Sequence, residues 1–487
     1  MKFKLNIKKC ILVIIAGIII ACDIYINNCI LITSFEQFVY AFMKIEGTSS
    51  AAFLPAFLYI VITAIIVCIL ILLPVVDFGK KLCINIKKKC IQLYPIINTK
   101  VYGVVLFIVS IIGFFYVVDM FDFLKNTVFS NTEIFDEYYV DGSKVDITFP
   151  NKKRNLIYIF VESLESSNVS RDNGGLFDKS IIPNLEQMAL DNINFSNNDR
   201  IGGAYSIHGG GWTAAAMVVQ TSGIPLKISF DDFKNDNLKF NNVTSLGDIL
   251  KDNGYNNYLL LGSDVNFGGR KSYFDNHNYI VKDYYSAIED GVIDEDYYEW
   301  WGYEDSKLFD YAKEFLSDIS KDDEPFNFTM LTANTHFTDG YLEKSCDSVF
   351  DDPYSNSLYC SDNMIYQFIE WVKKQDFYKD TTIVIVGDHL TMQDGFYDVD
   401  FSDRTIYNVF INADVDNEFN SKNRIFTALD MFPTTIASIG GNIPGDRLGL
   451  GTNLFSDKKT IPEIMGMDKF NVELSKGSNY YYNYLRK

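Results

Sequence analysis

Three long apolar runs near the N-terminus constrain the fold of this chain more than any other feature of its sequence. They cover about residues 10–31, 53–76 and 101–118. Each run is close to the ~20 residues that cross a bilayer as a helix. We therefore predict a transmembrane anchor over residues 1–119, a linker over 120–150 and a water-soluble domain over 151–487.

The distribution of charge predicts the orientation of this anchor. Residues 1–119 carry 11 Lys/Arg and 5 Asp/Glu, whereas the rest of the chain carries 32 and 58. The lysines precede the first apolar run and fill the loop between the second and third, and the positive-inside rule makes such segments cytoplasmic. Three crossings then place the soluble domain outside. Its net charge near −26 argues against nucleic acid as a partner, because nucleic-acid binding needs a basic surface.

Two residues of the first apolar run leave alternatives open. The basic start, the apolar run and Ala21-Cys22 are also typical of a lipoprotein signal, in which Cys22 would carry the lipid. That alternative leaves the soluble domain on the same side of the membrane. Asp23 is either a functional acid within the membrane or a carboxylate near its outer interface.

The cysteines agree with a soluble domain in an oxidising compartment. Six of the eight lie in the anchor, and the soluble domain holds only Cys346 and Cys360, in a Ser/Asp/Asn-rich stretch that we expect to be a long loop. A single pair in such a compartment is typical of a disulfide. Two free thiols are the alternative.

Apolar segments of strand length alternate with helical patterns through the soluble domain. The predicted strands are 156–161, 258–261, 326–331, 381–386 and 407–411, and the main predicted helices are 182–190, 213–222, 245–253, 307–319, 362–374 and 427–439. This alternation predicts an α/β fold, a mainly parallel sheet covered by helices on both faces. Such sheets bind their ligands at polar residues that directly follow the strands.

The segment 201–225 contains the candidate nucleophile. Three consecutive glycines, residues 209–211, allow a tight turn, and Thr213 then opens a predicted helix. The first backbone N–H groups and the dipole of a helix favour an anion there. The Thr213 hydroxyl could act as a nucleophile if a metal cation stabilised its alkoxide. Alternatively, Thr213 only caps the helix after a flexible turn.

Four polar side chains come just after the predicted strands. Glu162 follows 156–161, Asp388 and His389 follow 381–386, and His336 follows 326–331. Carboxylates, an imidazole and an alkoxide suit a hard or borderline divalent cation such as Mn²⁺ or Mg²⁺. Taken singly, Glu162 could be a surface carboxylate, Asp388 a turn residue and His336 a loop residue.

A set of longer motifs carries a family resemblance. The motifs are Asn-Leu-Ile-Tyr-Ile-Phe-Val-Glu-Ser-Leu-Glu-Ser (155–166), Gly-Trp-Thr-Ala-Ala-Ala-Met-Val (211–218), Gly223-Ile-Pro-Leu226, Gly387-Asp-His-Leu390, Leu429-Asp-Met-Phe-Pro433 and Leu448-Gly-Leu-Gly451. Over roughly residues 150–455 the chain thus resembles the phosphoglycerol transferases of the alkaline phosphatase/sulfatase superfamily. This membrane-bound branch includes lipoteichoic acid synthase and the periplasmic glucan phosphoglycerol transferase.

The resemblance implies a nucleophile and a metal site. Thr213 matches the family nucleophile, which takes glycerol phosphate as a covalent phosphothreonine. Glu162, Asp388 and His389 match the metal ligands, and Thr213 completes the set. One divalent cation is expected, Mn²⁺ ahead of Mg²⁺, because the first strand offers no Asp-Asp pair for a second.

The resemblance also implies substrate contacts and partners. His336 matches a substrate-contacting histidine that protonates the leaving alcohol or activates the acceptor hydroxyl. Arg270 stands where the family has a phosphate-binding basic residue, with Lys271 as the alternative, and Trp212 is a further substrate-binding candidate. The implied donor is phosphatidylglycerol in a bacterial cell (inner) membrane, and the acceptor is a glycan or a polyglycerol phosphate chain.

Of three other functions, the sequence disfavours a sulfatase and leaves two as alternatives. A phosphoethanolamine transferase also uses Thr on this scaffold, but such enzymes usually carry several disulfides. A sulfatase needs a Cys/Ser-x-Pro-x-Arg context, which Thr213 and Ala215 do not provide. A non-catalytic envelope protein that binds glycans could share the fold.

Overall fold

The computed structural model describes the chain in nine segments, which form two compact units. The segments are residues 7–29, 34–43, 50–75, 82–86, 89–94, 99–227, 240–393, 395–415 and 418–486. One unit comprises Met1–Phe35 and Ser50–Phe123, and the other comprises Glu36–Ser49 and Leu124–Lys487. Residues 30, 31 and 76, at the ends of the predicted membrane spans, lie outside the described residues.

The first unit is built on three long apolar helices. They are Ile7–Cys29, Ser50–Leu72 and Thr99–Val117. The stretches Cys10–Cys29, Leu54–Val75 and Thr99–Val117 are long and apolar enough to cross a membrane, as predicted. The first helix packs against both others, while side chains such as Ile62 and Ile108 stay more than half exposed. This unit also contains a hairpin, Leu82–Ile86 with Lys89–Tyr94, and the short helix Met120–Phe123.

The second unit is organised around a seven-stranded sheet. In chain order its strands β1 to β7 are Asn155–Val161, Gly203–Tyr205, Asn256–Leu261, Tyr279–Lys282, Phe326–Leu331, Thr381–Gly387 and Thr405–Ile411. Their order across the sheet is β2-β7-β6-β1-β5-β3-β4. The strands from β6 to β4 are parallel, whereas β7 is antiparallel to β6 and β2 is antiparallel to β7. The predicted mainly parallel sheet is confirmed.

The register of the three central strands brings their carboxyl ends together. In β1, Phe160 pairs with Leu331 of β5, and Val161 pairs with Gly387 of β6. All of these residues are buried. Residues that directly follow β1, β5 and β6 therefore share one edge of the sheet, although they are far apart in the chain.

Helices cover both faces of this sheet. Those of the second unit are Ile134–Tyr138, Pro183–Asp191, Thr213–Ser222, Leu246–Asp252, Arg270–Asn276, Tyr284–Glu289, Asp305–Ile319, Pro353–Val372, Met431–Ser438, Ile461–Met465 and Met467–Ser475. Alternate side chains of a strand point to opposite faces. Ile157 and Ile159 therefore share a core with the helices that start at Pro183, Asp305 and Pro353. On the opposite face, Tyr158 hydrogen-bonds to the Thr213–Ser222 helix.

Residues 120–150, which the sequence predicts to be a linker, lie mostly within the second unit. From Leu124 onward the chain belongs to this unit, with β-bridges from Val140 to Gly449 and from Thr148 to Asn442. The side chains of Ile134 and Phe135 are buried, which explains why a segment rich in polar residues packs here. The unit boundary in the structure is therefore close to residue 124.

The stretch around the two soluble-domain cysteines also differs from the prediction. Cys346 and Cys360 form a disulfide with a Cα–Cα distance of 5.7 Å. However, Cys360 lies within the helix Pro353–Val372 and not in a long loop. The helix begins early because the Asp352 side chain caps it by accepting a hydrogen bond from Ser355 N, and Pro353 suits the first helical position.

Candidate active site

Thr213 lies at the first position of the helix Thr213–Ser222. The preceding residue, Trp212, is extended (φ −148°, ψ 156°), and Gly223 ends the helix in the left-handed conformation (φ 66°). Throughout residues 209–227, Thr213 alone is not buried. The fold thus holds the backbone of this segment inside the molecule and presents the Thr213 hydroxyl.

Three other predicted residues meet at the carboxyl ends of β1 and β6. Glu162, Asp388 and His389 are buried, and one ligand atom from each lies within 4.8 Å of the others. Gly387 allows this approach, because a Cβ there would lie 1.9 Å from the carbonyl oxygen of Leu164. Any larger residue would push β6 away from the segment that carries Glu162.

The Thr213 hydroxyl faces this group of ligands. Its Oγ1 donates to Glu162 Oε2 at 3.1 Å and lies 3.3 Å from His389 Nε2. The structure therefore brings together the four residues from which the sequence predicts a nucleophile and a metal site.

Hydrogen bonding fixes which nitrogen of His389 faces the site. His389 Nδ1 lies 2.8 Å from the carbonyl oxygen of Leu390. A carbonyl oxygen can only accept, so Nδ1 carries a proton, and Nε2 is the nitrogen that faces the site. Nε2 lies 3.4 Å from both Glu162 Oε1 and Asp388 Oδ2. The imidazole is therefore oriented as a ligand.

The chemistry of Asp388 fits a cation. Its Oδ1 accepts from the backbone N–H groups of Ser163 and His389, both at 2.7 Å, while its buried Oδ2 has no hydrogen-bond partner among the described residues. Burial, together with the nearby charge of Glu162, raises the pKa of Asp388 to about 7. Two buried carboxylates and an imidazole nitrogen that share one space are the donor set expected for a divalent cation.

Gln220, a residue that the sequence did not single out, joins the helix Thr213–Ser222 to the end of β6. The buried amide of Gln220 donates to the carbonyl oxygens of Gly387 at 3.0 Å and Asp388 at 3.1 Å, and accepts from Tyr158 Oη at 2.8 Å. Its signal in the sequence is its position, seven residues after Thr213 and thus on the same helix face. Gln220 fixes the distance between the helix and the end of β6.

His336 lies on the loop after β5, as predicted, and outside the ligand group. Its Nδ1 lies 2.6 Å from the carbonyl oxygen of Phe337 and therefore carries a proton. Burial lowers the pKa of His336, against the opposing charge of Glu162. The Asp305 carboxylate holds this loop by accepting from the backbone N–H groups of Ala333 (2.8 Å) and Asn334 (3.1 Å).

The two basic candidates occupy different surroundings. Arg270 is buried, and its guanidinium donates to the carbonyl oxygens of Phe267 (3.0 Å) and Asp264 (2.8 Å). Its charge contributes to the lowered pKa of His336, so Arg270 lies near the site. Its hydrogen bonds to its own loop fix its orientation. Lys271 instead forms a surface ion pair with Asp275 at 3.0 Å. Trp212, the third substrate-binding candidate, is 8% exposed.

This fold and this group of residues coincide with a known family. The sulfatase family profile matches residues 154–407, which is just over half of the chain and includes every site residue described above. The chain belongs to the sulfatase family.

Particular relatives within that family are transferases. The chain is 32% identical over 270 residues to phosphoglycerol transferase I of Escherichia coli O6:K15:H31 (strain 536 / UPEC), covering 53% of this chain and 33% of that protein. It is 28% identical over 344 residues to phosphoglycerol transferase I of Citrobacter koseri, covering 69% of this chain and 40% of that protein. The chain therefore spans between a third and two fifths of the length of these curated relatives.

Two solved structures share the fold. The lipoteichoic acid synthase LtaP of Listeria monocytogenes has a TM-score of 0.50 at 18% identity, covering 66% of this chain and 81% of its own. The integral membrane protein lipooligosaccharide phosphoethanolamine transferase A of Neisseria meningitidis has a TM-score of 0.51 at 14% identity, covering 89% and 84%. The second match extends over most of both chains.

Proposed function

We propose that this protein is a membrane-anchored, metal-dependent phosphoglycerol transferase. It moves sn-glycerol 1-phosphate from phosphatidylglycerol to a cell-envelope glycan or polymer, on the outer side of a bacterial inner membrane. The main support is the position of the Thr213 hydroxyl, 3.1 Å from Glu162 and 3.3 Å from His389 at a helix N-terminus. The names of the curated relatives support glycerol phosphate as the transferred group.

Glu162, Asp388 and His389 would hold one divalent cation, completed by Thr213. Mn²⁺ is the first candidate and Mg²⁺ the second, since two carboxylates and a hydroxyl suit these hard or borderline cations. When bound, such a cation lowers the pKa of a hydroxyl and neutralises charge on phosphate oxygens.

In the first half-reaction Thr213 Oγ1 attacks the phosphorus of phosphatidylglycerol. The bond between phosphorus and the diacylglycerol oxygen breaks, and a bond between phosphorus and Oγ1 forms. Glu162 Oε2, which already accepts the Thr213 hydrogen bond, is placed to take the proton. The proton lost by Thr213 is balanced by the one that diacylglycerol gains, and a phosphothreonine ester remains.

In the second half-reaction an acceptor hydroxyl attacks the same phosphorus. The bond from phosphorus to Thr213 Oγ1 breaks, and the threonine regains a proton. The lowered pKa of His336 keeps its Nε2 unprotonated and able to accept the proton of the acceptor hydroxyl. The scheme predicts ping-pong kinetics, since diacylglycerol leaves before the acceptor reacts.

The test is direct detection of the covalent intermediate. The purified full chain is mixed with vesicles of phosphatidylglycerol labelled in its headgroup and with Mn²⁺, without acceptor, and then digested for mass spectrometry. We expect glycerol phosphate on Thr213 and no adduct in Thr213→Ala. An ethanolamine phosphate adduct from phosphatidylethanolamine vesicles would favour a phosphoethanolamine transferase. No adduct from either lipid contradicts the mechanism.

A further inference from the structure

One buried side chain joins the segments that follow β1 and β6. Glu165 is fully buried, and its Oε1 accepts a hydrogen bond from the backbone N–H of Thr391 at 2.8 Å. Glu165 comes three residues after Glu162, and Thr391 comes two residues after His389. The regular pairing of the two strands ends before these residues. The bond therefore connects the two segments that carry the proposed metal ligands, beyond the paired part of their strands.

Arg404 holds Thr391 by its other backbone group. The Nη2 of this arginine donates to the carbonyl oxygen of Thr391 at 3.2 Å and lies 3.4 Å from Glu165 Oε1. Its guanidinium lies over the rings of Tyr397 and Phe401, with the central carbon 4.8 and 5.0 Å from their centroids. The arginine is 6% exposed. We call this buried ion pair the Glu165–Arg404 clamp.

The clamp is itself fixed by the sheet. Arg404 directly precedes β7, and β7 pairs with β6. Glu165 forms a β-bridge with Ile406 of β7. By contrast, residues 388–393, which include two of the proposed metal ligands, form neither helix nor strand. The clamp thus holds an irregular segment against a regular strand.

Stability alone explains the clamp poorly. The attraction within a buried ion pair often only balances the cost of removing both charges from water, and apolar residues of similar volume can stabilise a fold equally well. An ion pair supplies a defined geometry in addition, because a planar guanidinium and a carboxylate bind each other in fixed directions. Here that geometry fixes both the N–H and the C=O of Thr391. The peptide units that lead back from Thr391 to His389 are fixed with them.

We propose that Glu165 and Arg404 are positioning residues of the proposed metal site. Neither side chain belongs to the group of ligand atoms that lie within 4.8 Å of one another. Their role is to keep His389 next to Glu162 before a cation binds, so that the ligands are already ordered in the folded protein. Outer partners that orient metal ligands typically change metal affinity or activity 10–100-fold. This inference rests on the proposed function, because it concerns the cation that the transferase would use.

The main variant removes the clamp and leaves no unpaired charge. In Glu165→Leu/Arg404→Met both charges are replaced by apolar side chains, which should keep the thermal melting temperature of the metal-free protein close to that of the wild type. The purified full chain is freed of metal and titrated with Mn²⁺, and the unbound ion is measured by electron paramagnetic resonance. We expect the Kd for Mn²⁺ to rise about 10–100-fold in the double variant.

Asp362→Asn is the matched control. Asp362 is also a fully buried acid, and it accepts from the backbone N–H groups of Asn184 at 3.1 Å and Leu185 at 2.7 Å. These bonds join the helices Pro183–Asp191 and Pro353–Val372, neither of which carries a proposed ligand. We expect this variant to melt at a lower temperature and to bind Mn²⁺ with unchanged affinity.

A second measurement needs neither metal nor lipid. Amide hydrogen exchange of the metal-free full chain is followed by mass spectrometry in a peptide that contains residues 388–393. We expect this segment to exchange about tenfold faster or more in Glu165→Leu/Arg404→Met, while the amides of β6 keep the protection that they have in the wild type. Local loosening would thereby be separated from a general loss of stability.

Two results would overturn the inference. If the wild type binds Mn²⁺ and the folded double variant binds it equally well, the clamp has no role in metal binding. If exchange rises equally in β6 and in residues 388–393, the clamp only stabilises the fold. A wild type that binds neither Mn²⁺ nor Mg²⁺ would instead contradict the proposed function, and this inference with it.

Discussion

Asp388 and Asp430 are both fully buried aspartates, yet their surroundings differ in one decisive respect. Burial is the main cause that raises the pKa of each to about 7. Both oxygens of Asp430 are satisfied, because Oδ1 accepts from Thr452 N at 2.7 Å and Oδ2 accepts from Thr427 N at 2.8 Å. Asp388 has one satisfied oxygen, and the other faces Glu162 and His389.

This difference separates a structural acid from a candidate metal ligand. A buried carboxylate that backbone N–H groups saturate stabilises the fold and has no capacity left for a cation. A buried carboxylate with an open oxygen beside a second carboxylate carries an uncompensated charge, which a metal ion neutralises. Burial and a raised pKa alone would not distinguish Asp388 from Asp430 as a candidate functional residue.

The largest effect on activity is expected from removal of the Thr213 hydroxyl, which lies beside Glu162 and His389. Thr213→Ala should lower glycerol phosphate transfer at least about 10³-fold, because it removes the atom that forms the covalent bond. The measurement is transfer rate in vesicles, with the thermal melting temperature as a check on folding. Thr213→Ser keeps a hydroxyl at the helix start and should retain measurable activity. Activity of Thr213→Ala close to wild type would remove Thr213 from the mechanism.

The aspartates themselves give the sharpest comparison. Asp388→Asn should lower transfer by about 10²-fold or more through loss of a metal ligand and cost little stability. Asp430→Asn should leave the activity of the folded fraction intact but destabilise by about 1–3 kcal/mol, because an amide N–H would then face backbone donors. The readouts are transfer rate and denaturant unfolding of both variants. Equal changes in transfer rate and in stability in the two variants would contradict the different roles of Asp388 and Asp430.

Metal removal tests whether Asp388 Oδ2 binds a cation. Chelation with EDTA should lower the melting temperature of the wild type, and Mn²⁺ should restore it, since a ligand that binds only the folded state stabilises it by mass action. The wild type and Asp430→Asn should both respond to Mn²⁺. Asp388→Asn should respond weakly or not at all. A full response in Asp388→Asn would place the cation elsewhere.

A smaller loss is expected when the contact between helix and strand is loosened. Gln220→Leu removes both donors to the Gly387 and Asp388 carbonyl oxygens and should lower kcat about tenfold by displacing Thr213 relative to its ligands. The KM values for lipid and acceptor should change little. Gln220→Glu places a carboxylate against two carbonyl oxygens and should lower kcat further than Gln220→Leu. A change confined to stability would make Gln220 a packing residue only.

The smallest effect concerns pH. Because the pKa of Asp430 is raised from 3.8 to about 7, the folded state holds a proton that the unfolded state has released between these values. Its stabilising contribution is complete below about pH 4 and is lost as the pH rises towards 7. The destabilisation by Asp430→Asn should therefore be larger at pH 5 than at pH 8, measured by denaturant unfolding. The opposite trend would contradict the raised pKa.

The sequence predicted the sheet and the site because strand-length apolar runs end at polar residues. Glu162, His336, Asp388 and His389 come within five residues after runs that the structure shows as β1, β5 and β6. Parallel pairing then places their carboxyl ends at one edge, as such sheets require.

Other features needed tertiary information. Gln220 is one polar residue in a mostly apolar helix, and only the fold shows that its amide reaches the end of β6. The packing of residues 124–150 depends on partners more than 300 positions away, such as Gly449 for Val140. The rings of Phe267, Trp301, His336 and Phe337 come from three separate loops, and no local sequence pattern predicts that they meet.

The pairing of Ser163 with Asp388 links positions that are 225 residues apart in the chain. Glu162 and Asp388 come close enough to share a cation only after β6 has paired with β1. In the proposed topology, a chain still crossing the membrane therefore lacks the complete metal site, and metal binding would follow folding of the sheet. The proposed transferase would then be inactive during export and would act on its proposed lipid donor only after β6 has joined the sheet.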